Sequence, residues 1–110
     1  MSRQRLPNRR ASETFELKAG GLRYTCTASR SADGKVHEIF LSNHKSNSAA
    51  DTNARDSAIV FSIAVQSGAD IETIRHALCR DAQGRASGPL AAALDILAKE
   101  QPKPVGGPAS

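Results

Sequence analysis

Two groups of cations flank polar loops in this sequence. His44 and Lys45 follow Asn43 in the run SNHKSNS, and Arg55 lies ten residues beyond Lys45 at the start of an apolar segment. Arg80 and Arg85 bracket a second polar loop, RDAQGRA, which leads into Ser87. Each loop precedes a segment of helical periodicity. Each therefore sets cations beside the unsatisfied backbone N–H groups of a helix start, an arrangement that suits a phosphate or carboxylate. The contacts of such a site are Asn43, His44, Lys45, Arg55, Arg80, Arg85 and Ser87, and nucleotide phosphate is the ligand it fits best. The plainer explanation is that Ser, Asn and Asp cap the helices while the arginines lie on solvated loops.

A second constellation is His76 and Cys79, three apart and hence on one face of a helix, where they offer two metal ligands. The other two would have to come from His37, His44 or Cys26, and no CxxC or HxxxH spacing gathers them. The plainer reading makes Cys79 a small buried hydrophobe and leaves His76 facing water, with no metal bound. Catalytic patterns are missing as well: no Ser/His/Asp order, no Gly-rich phosphate loop and no paired carboxylates on an apolar face.

The elements that must position these residues follow from periodicity. From Glu13 to Ser42 the apolar period is two. Phe15 and Leu17 alternate with Thr14, Glu16 and Lys18 up to Gly20-Gly21, and Leu22, Tyr24, Cys26 and Ala28 alternate in a second strand after a tight hairpin. Asp33-Gly34 closes the next turn, and Val36 to Leu41 make a third strand, completing an antiparallel meander. That strand reads as apolar on both faces, Val36 and Phe40 opposite Ile39 and Leu41. Helices are expected to cover one face, and a second subunit or a larger protein the other.

Next comes the most apolar helix of the chain. Ala58, Ile59, Phe61, Ile63, Ala64 and Val65 leave Arg55, Ser62 and Gln66 as a narrow polar stripe, which predicts a helix buried on most sides with that stripe in water. Asp51, Thr52 or Asn53 is expected to cap it, and Gly68 to end it. Asp70 caps a second helix carrying Ile71, Ile74 and Leu78. Ser87 caps a third, with Pro89 in its first turn and Leu90, Leu94 and Leu97 stacked along it. The prediction is an α+β domain, β-β-β-α-α-α with the helices mainly on one face, over residues 12–100. A flexible basic arm (1–11) precedes it and a disordered Pro/Gly-rich tail (101–110) follows.

The net charge of +4 resides in that arm, which holds Arg3, Arg5, Arg9 and Arg10; with those four set aside, basic and acidic residues balance. A neutral body ranks nucleic-acid binding through the arm last among the readings, since specific binders concentrate Lys and Arg on a structured face. No apolar run reaches the length of a signal peptide core or a membrane span, so the expectation is a cytoplasmic chain with two reduced, buried cysteines. Three Phe, one Tyr and no Trp leave the core to aliphatic residues, and so small a core favours self-association or docking.

The segment Leu78 to Leu94, LCRDAQGRASGPLAAAL, with the strand, loop and helix before it, resembles the TSCPD domain. This small module occurs at the C-terminus of adenosylcobalamin-dependent ribonucleotide reductases and as free-standing bacterial proteins. The resemblance runs from about Phe15 to Leu97. Cys79 matches the cysteine that ends the family's penultimate helix, and Ala86-Ser87-Gly88-Pro89-Leu90 stands where the name-giving Thr-Ser-Cys-Pro-Asp opens the last one. Ser87 and Pro89 are kept; Gly88 replaces the motif cysteine and Leu90 the aspartate. What the resemblance implies is a non-catalytic accessory or stand-alone module, homo-oligomeric or docked on a reductase-type protein. It implies no cofactor of its own, cobalamin belonging to the full-length enzymes.

Overall fold

The computed structural model of the chain describes residues 12–99, so the expectations for the basic arm and for the Pro/Gly tail lie outside the described residues. Alternating side chains produce β1 (Ser12–Ala19), β2 (Leu22–Arg30) and β3 (Val36–Asn43), antiparallel in the order β1-β2-β3. Gly20 and Gly21 both adopt positive φ, 58° and 79°, as a two-residue hairpin requires. The register pairs Leu17 with Tyr24 and Cys26 with Leu41, which gathers these four side chains on one buried face.

Three helices follow, α1 (Ala49–Gln66), α2 (Ile71–Ala77) and α3 (Pro89–Lys99), giving the α+β order that the periodicity predicts. Leu90, Ala93, Leu94 and Leu97 of α3 join Ala54, Ala58 and Phe61 of α1 against the sheet in one core. Phe61, Leu41, Leu94 and Cys26 are its largest fully buried side chains; burying an aliphatic or aromatic side chain of this size stabilises by about 1.5–3 kcal/mol. The expected stops hold. Gly68 has φ 104°, with its N–H on the Val65 carbonyl (3.0 Å) and that of Ala69 on the Ala64 carbonyl (2.9 Å), a Schellman ending for α1. Asp70 caps α2 by accepting from the Thr73 N–H.

The start of α1 differs from expectation. Ala49 and Ala50 extend the helix backwards, and Ser48 is the cap, its hydroxyl accepting from the Asp51 N–H at 3.1 Å. Asp51, freed from capping, turns back and accepts from the N–H groups of Asn43 (2.9 Å) and Asn47 (3.2 Å).

The facing of α1 differs in part: Arg55 and Gln66 are exposed and Ala58 and Phe61 buried as the stripe predicts, but Ser62 is buried and Ile59 and Ile63 are exposed. β3 is an edge strand, and its outward backbone groups need partners or cover. Ser62 and Gln66 supply them: the Ser62 hydroxyl accepts from the Ile39 N–H (3.0 Å) and reaches the Ile39 carbonyl (3.3 Å), while Gln66 Nε2 donates to the His37 carbonyl (3.1 Å). Ser62 is 8% exposed, whereas Ile59, Val60 and Ile63 are 51%, 65% and 60% exposed. Hydrogen-bonding demand at the sheet edge therefore outweighs the hydrophobic ranking that would put Ser62 in water.

In β3 a register shift between Ser29 and Arg30 pairs Arg30 with Val36, and Val36 joins Ile39 and Leu41 in the core. Phe40 alone of the four emerges on the opposite face, 60% exposed. At α3 the Ala92 N–H donates to the Gly88 carbonyl (3.1 Å), which makes Gly88 the residue before the first turn and leaves Pro89 at its first position. Ser87 is not the cap, because its backbone is held one residue earlier by donation to the Cys79 carbonyl (3.0 Å).

Candidate functional site

Of the cations singled out from the sequence, His44 and Lys45 lie between β3 and α1 and Arg80 and Arg85 between α2 and α3, whereas Arg55 sits in the second turn of α1 rather than at its entrance. Most of them face a carboxylate. Arg55 Nε donates to Asp51 at 2.9 Å, one turn away on α1, and backbone donation from Asn43 together with the Arg55 guanidinium holds the Asp51 carboxyl below its ordinary range. His44 lies 3.7 Å from Glu16, and Arg85 3.6 Å from Asp81. Asn43 bridges backbones, accepting from the Lys45 N–H and donating to the Arg23 carbonyl. Lys45 has no side-chain partner among the described residues, and Ser87 lends only its backbone.

Arg80 is the most firmly held. Its two terminal nitrogens grip Asp95 at 2.8 and 2.9 Å, and Arg75 reaches the same carboxylate at 2.9 Å while forking onto Glu72. The Arg80 hydrogen bonds, and then those of Arg75, lower the Asp95 carboxyl to about 2. This chain of charges ties α2, the 78–88 loop and α3 together, so Arg80 serves cohesion before recognition. Sequence reasoning missed Arg75 and Asp95; the Glu72 to Arg75 spacing of three was the available signal.

His76 and Cys79 part company. His76 lies exposed beside Glu72 (3.7 Å), whereas Cys79 is an exposed free thiol, contrary to the buried role expected of it. Among the described residues no three His, Cys, Asp or Glu side chains gather as a metal site. Cys26 is buried, and desolvation, with the Glu13 charge, pushes its thiol up to about 12.

Cys79 opens into a cleft of about 390 Å³ with Tyr24, Asn53, Ser57, Gly88 and Pro89. Cys79 and Gly88 thus meet at one cleft, and a Cβ added at Gly88 would enter open space. A second cleft, about 400 Å³, lies at the other end of the helices between the β2–β3 turn, the start of α2 and the end of α3.

An exposed apolar surface stands out among the described residues. With Ser62 on the β3 edge and Ala54, Ala58 and Phe61 in the core, 3.6 residues per turn place Ile59 and Ile63 on the flank of α1 beyond that edge. Phe40 emerges from β3 on the same side, opposite the core, and Val60 continues the surface outward. Together these side chains expose on the order of 400 Å² of apolar area, within the range of the largest patch on a monomer, which is often functional.

No family model matches the chain, and no solved structure matches it. Over 70 residues, 64% of its length, the chain is 33% identical to a vitamin B12-dependent ribonucleotide reductase of Agrobacterium fabrum, of which that stretch is 6%. The chain is an α+β module related to a short part of a ribonucleotide reductase and spans a small fraction of that protein's length. No helix among the described residues is long and apolar enough to cross a membrane.

Proposed function

We propose that the chain is a TSCPD-like accessory module that performs no catalysis by itself and docks on a vitamin B12-dependent reductase-type enzyme. The observation that carries this reading is the exposed face of Phe40, Ile59, Val60 and Ile63. The comparison supports the choice of occupant: in the reductase the matching 70 residues are joined to a body many times larger, so a protein surface is that segment's covalent neighbour. The apolar flank of this chain suits the same kind of surface. In this reading cobalamin chemistry belongs to the partner enzyme.

The test is a titration of the full chain against the purified B12-dependent reductase of the same organism, followed by light scattering after size exclusion. Docking predicts a stoichiometric complex with the wild type and its loss with the double variant Ile59→Asp, Ile63→Asp. A complex of equal strength with the double variant would remove the surface from consideration. Absence of any complex, or a wild-type chain that forms only a dimer with itself, would overturn the choice of partner.

A further inference from the structure

The cleft at the far end of the helices contains a charge that the rest of the fold does not balance. Arg30 is 8% exposed and lines this cleft. Its guanidinium donates to two carbonyl oxygens, Gly34 at 2.8 Å and Leu97 at 3.5 Å, and no carboxylate among the described residues lies within ion-pair distance of it. A guanidinium has five N–H donors, so several remain without a partner among these residues. The carbonyl end of α3 offsets part of the charge through Leu97. Burying an ion is unfavourable unless a counter-charge accompanies it.

The surroundings define the counter-charge. Val36, Val65, Ile71 and Leu97 give the cleft apolar walls, and its 400 Å³ suits a small ligand. Its two acidic residues are engaged elsewhere: Asp70 Oδ2 accepts from the Thr73 N–H and hydroxyl, and Glu72 is forked by Arg75. Their charges nevertheless face the cleft and oppose a phosphate dianion. Lys35, also on the cleft wall, lies within electrostatic reach of Asp70 and leaves Arg30 as the uncompensated cation. A planar monocarboxylate matches the guanidinium fork, and the walls accept an aliphatic substituent.

We infer that this cleft binds a monocarboxylate bearing an aliphatic group, its carboxylate on Arg30 and its chain among Val36, Val65, Ile71 and Leu97. The ligand is either a small aliphatic acid or the free carboxyl end of a peptide.

The experiment uses the full chain labelled with ¹⁵N, titrated with hexanoate, hexanol and inorganic phosphate. Hexanoate should give saturable shifts at the Arg30 Nε–H and at the Val36, Ile71 and Leu97 amides, with affinity at least about tenfold above that of hexanol or phosphate. Arg30→Met should remove the preference for hexanoate over hexanol. If that variant does not fold, Ala98→Leu fills the cleft from α3 with Arg30 intact and should weaken hexanoate about tenfold. A peptide ending in leucine as free acid, run beside its C-terminal amide, separates the sources: preference for the free acid peptide over hexanoate points to a chain end, and the reverse order to a small acid. Equal responses to hexanoate and hexanol, shifts that do not saturate, or an unaltered Ala98→Leu response would overturn the inference.

Discussion

Replacing Ser62 by alanine removes one oxygen and gives α1 a better helix former, so propensity alone predicts a gain of up to about 0.5 kcal/mol. The structure predicts the opposite sign. The Ser62 hydroxyl is the partner of the Ile39 N–H on the outer edge of β3, at a site where the serine is 8% exposed. Alanine leaves that buried donor unsatisfied, at a cost of about 1–3 kcal/mol. The net expectation is a destabilisation of about 1–2 kcal/mol, or a fall in Tm of several degrees for a domain of this size. Ile63→Ala next to it should change stability by less than about 0.5 kcal/mol, because Ile63 is 60% exposed. Urea unfolding of both variants, with m-values compared to keep the two-state reading sound, decides the matter. A neutral Ser62→Ala together with an Ile63→Ala that costs about 2–5 kcal/mol, as a core residue would, refutes the placement of α1.

Three further outcomes follow from the same geometry. The Asp95 carboxyl, lowered to about 2 in the folded chain from about 4 when unfolded, contributes stability that is present above pH 4 and lost as pH falls through 2. The urea midpoints of wild type and Asp95→Asn should therefore differ at pH 6 and converge near pH 2. A thiol reagent at neutral pH should modify one cysteine of the folded chain, the exposed Cys79, and reach Cys26 only on unfolding, since that thiol is buried and raised to about 12. Gly88→Cys should fold with a stability change within about 1 kcal/mol and present a second reactive thiol in the Cys79 cleft, because Gly88 is not among the positive-φ glycines and its Cβ meets nothing within 4 Å.

The strands, the two hairpins, the stop at Gly68 and the helix start at Asp70 were legible because each depends on local chemistry: period-two alternation, glycines at positive φ and side-chain caps. The facing of α1 was legible only in part. In the helical stripe of Arg55, Ser62 and Gln66, Ser62 looks like a solvent-facing residue until the strand beside it is known to be an edge. That fact depends on sheet order, which no window of sequence contains. The same gap hid the apolar flank, for Ile59 and Ile63 belong in a core by composition and are exposed by topology. Arg30 was invisible for another reason: it completes the alternation of β2, and only the bulge beside it turns a polar strand end into the floor of a cleft. The carboxylate neighbours of the singled-out cations come from α1 itself (Asp51), from the 78–88 loop (Asp81) and from α3 (Asp95); only the pairing with α3 is long-range.

Hydrogen exchange of the full chain, alone and mixed with the purified B12-dependent reductase of its own organism, addresses docking most directly. The account predicts added protection confined to the middle of α1, around Ile59 to Ile63, and to β3 around Phe40, with the two clefts unchanged. Protection at the Cys79 cleft or the Arg30 cleft with none at Phe40, Ile59 and Ile63 would contradict it.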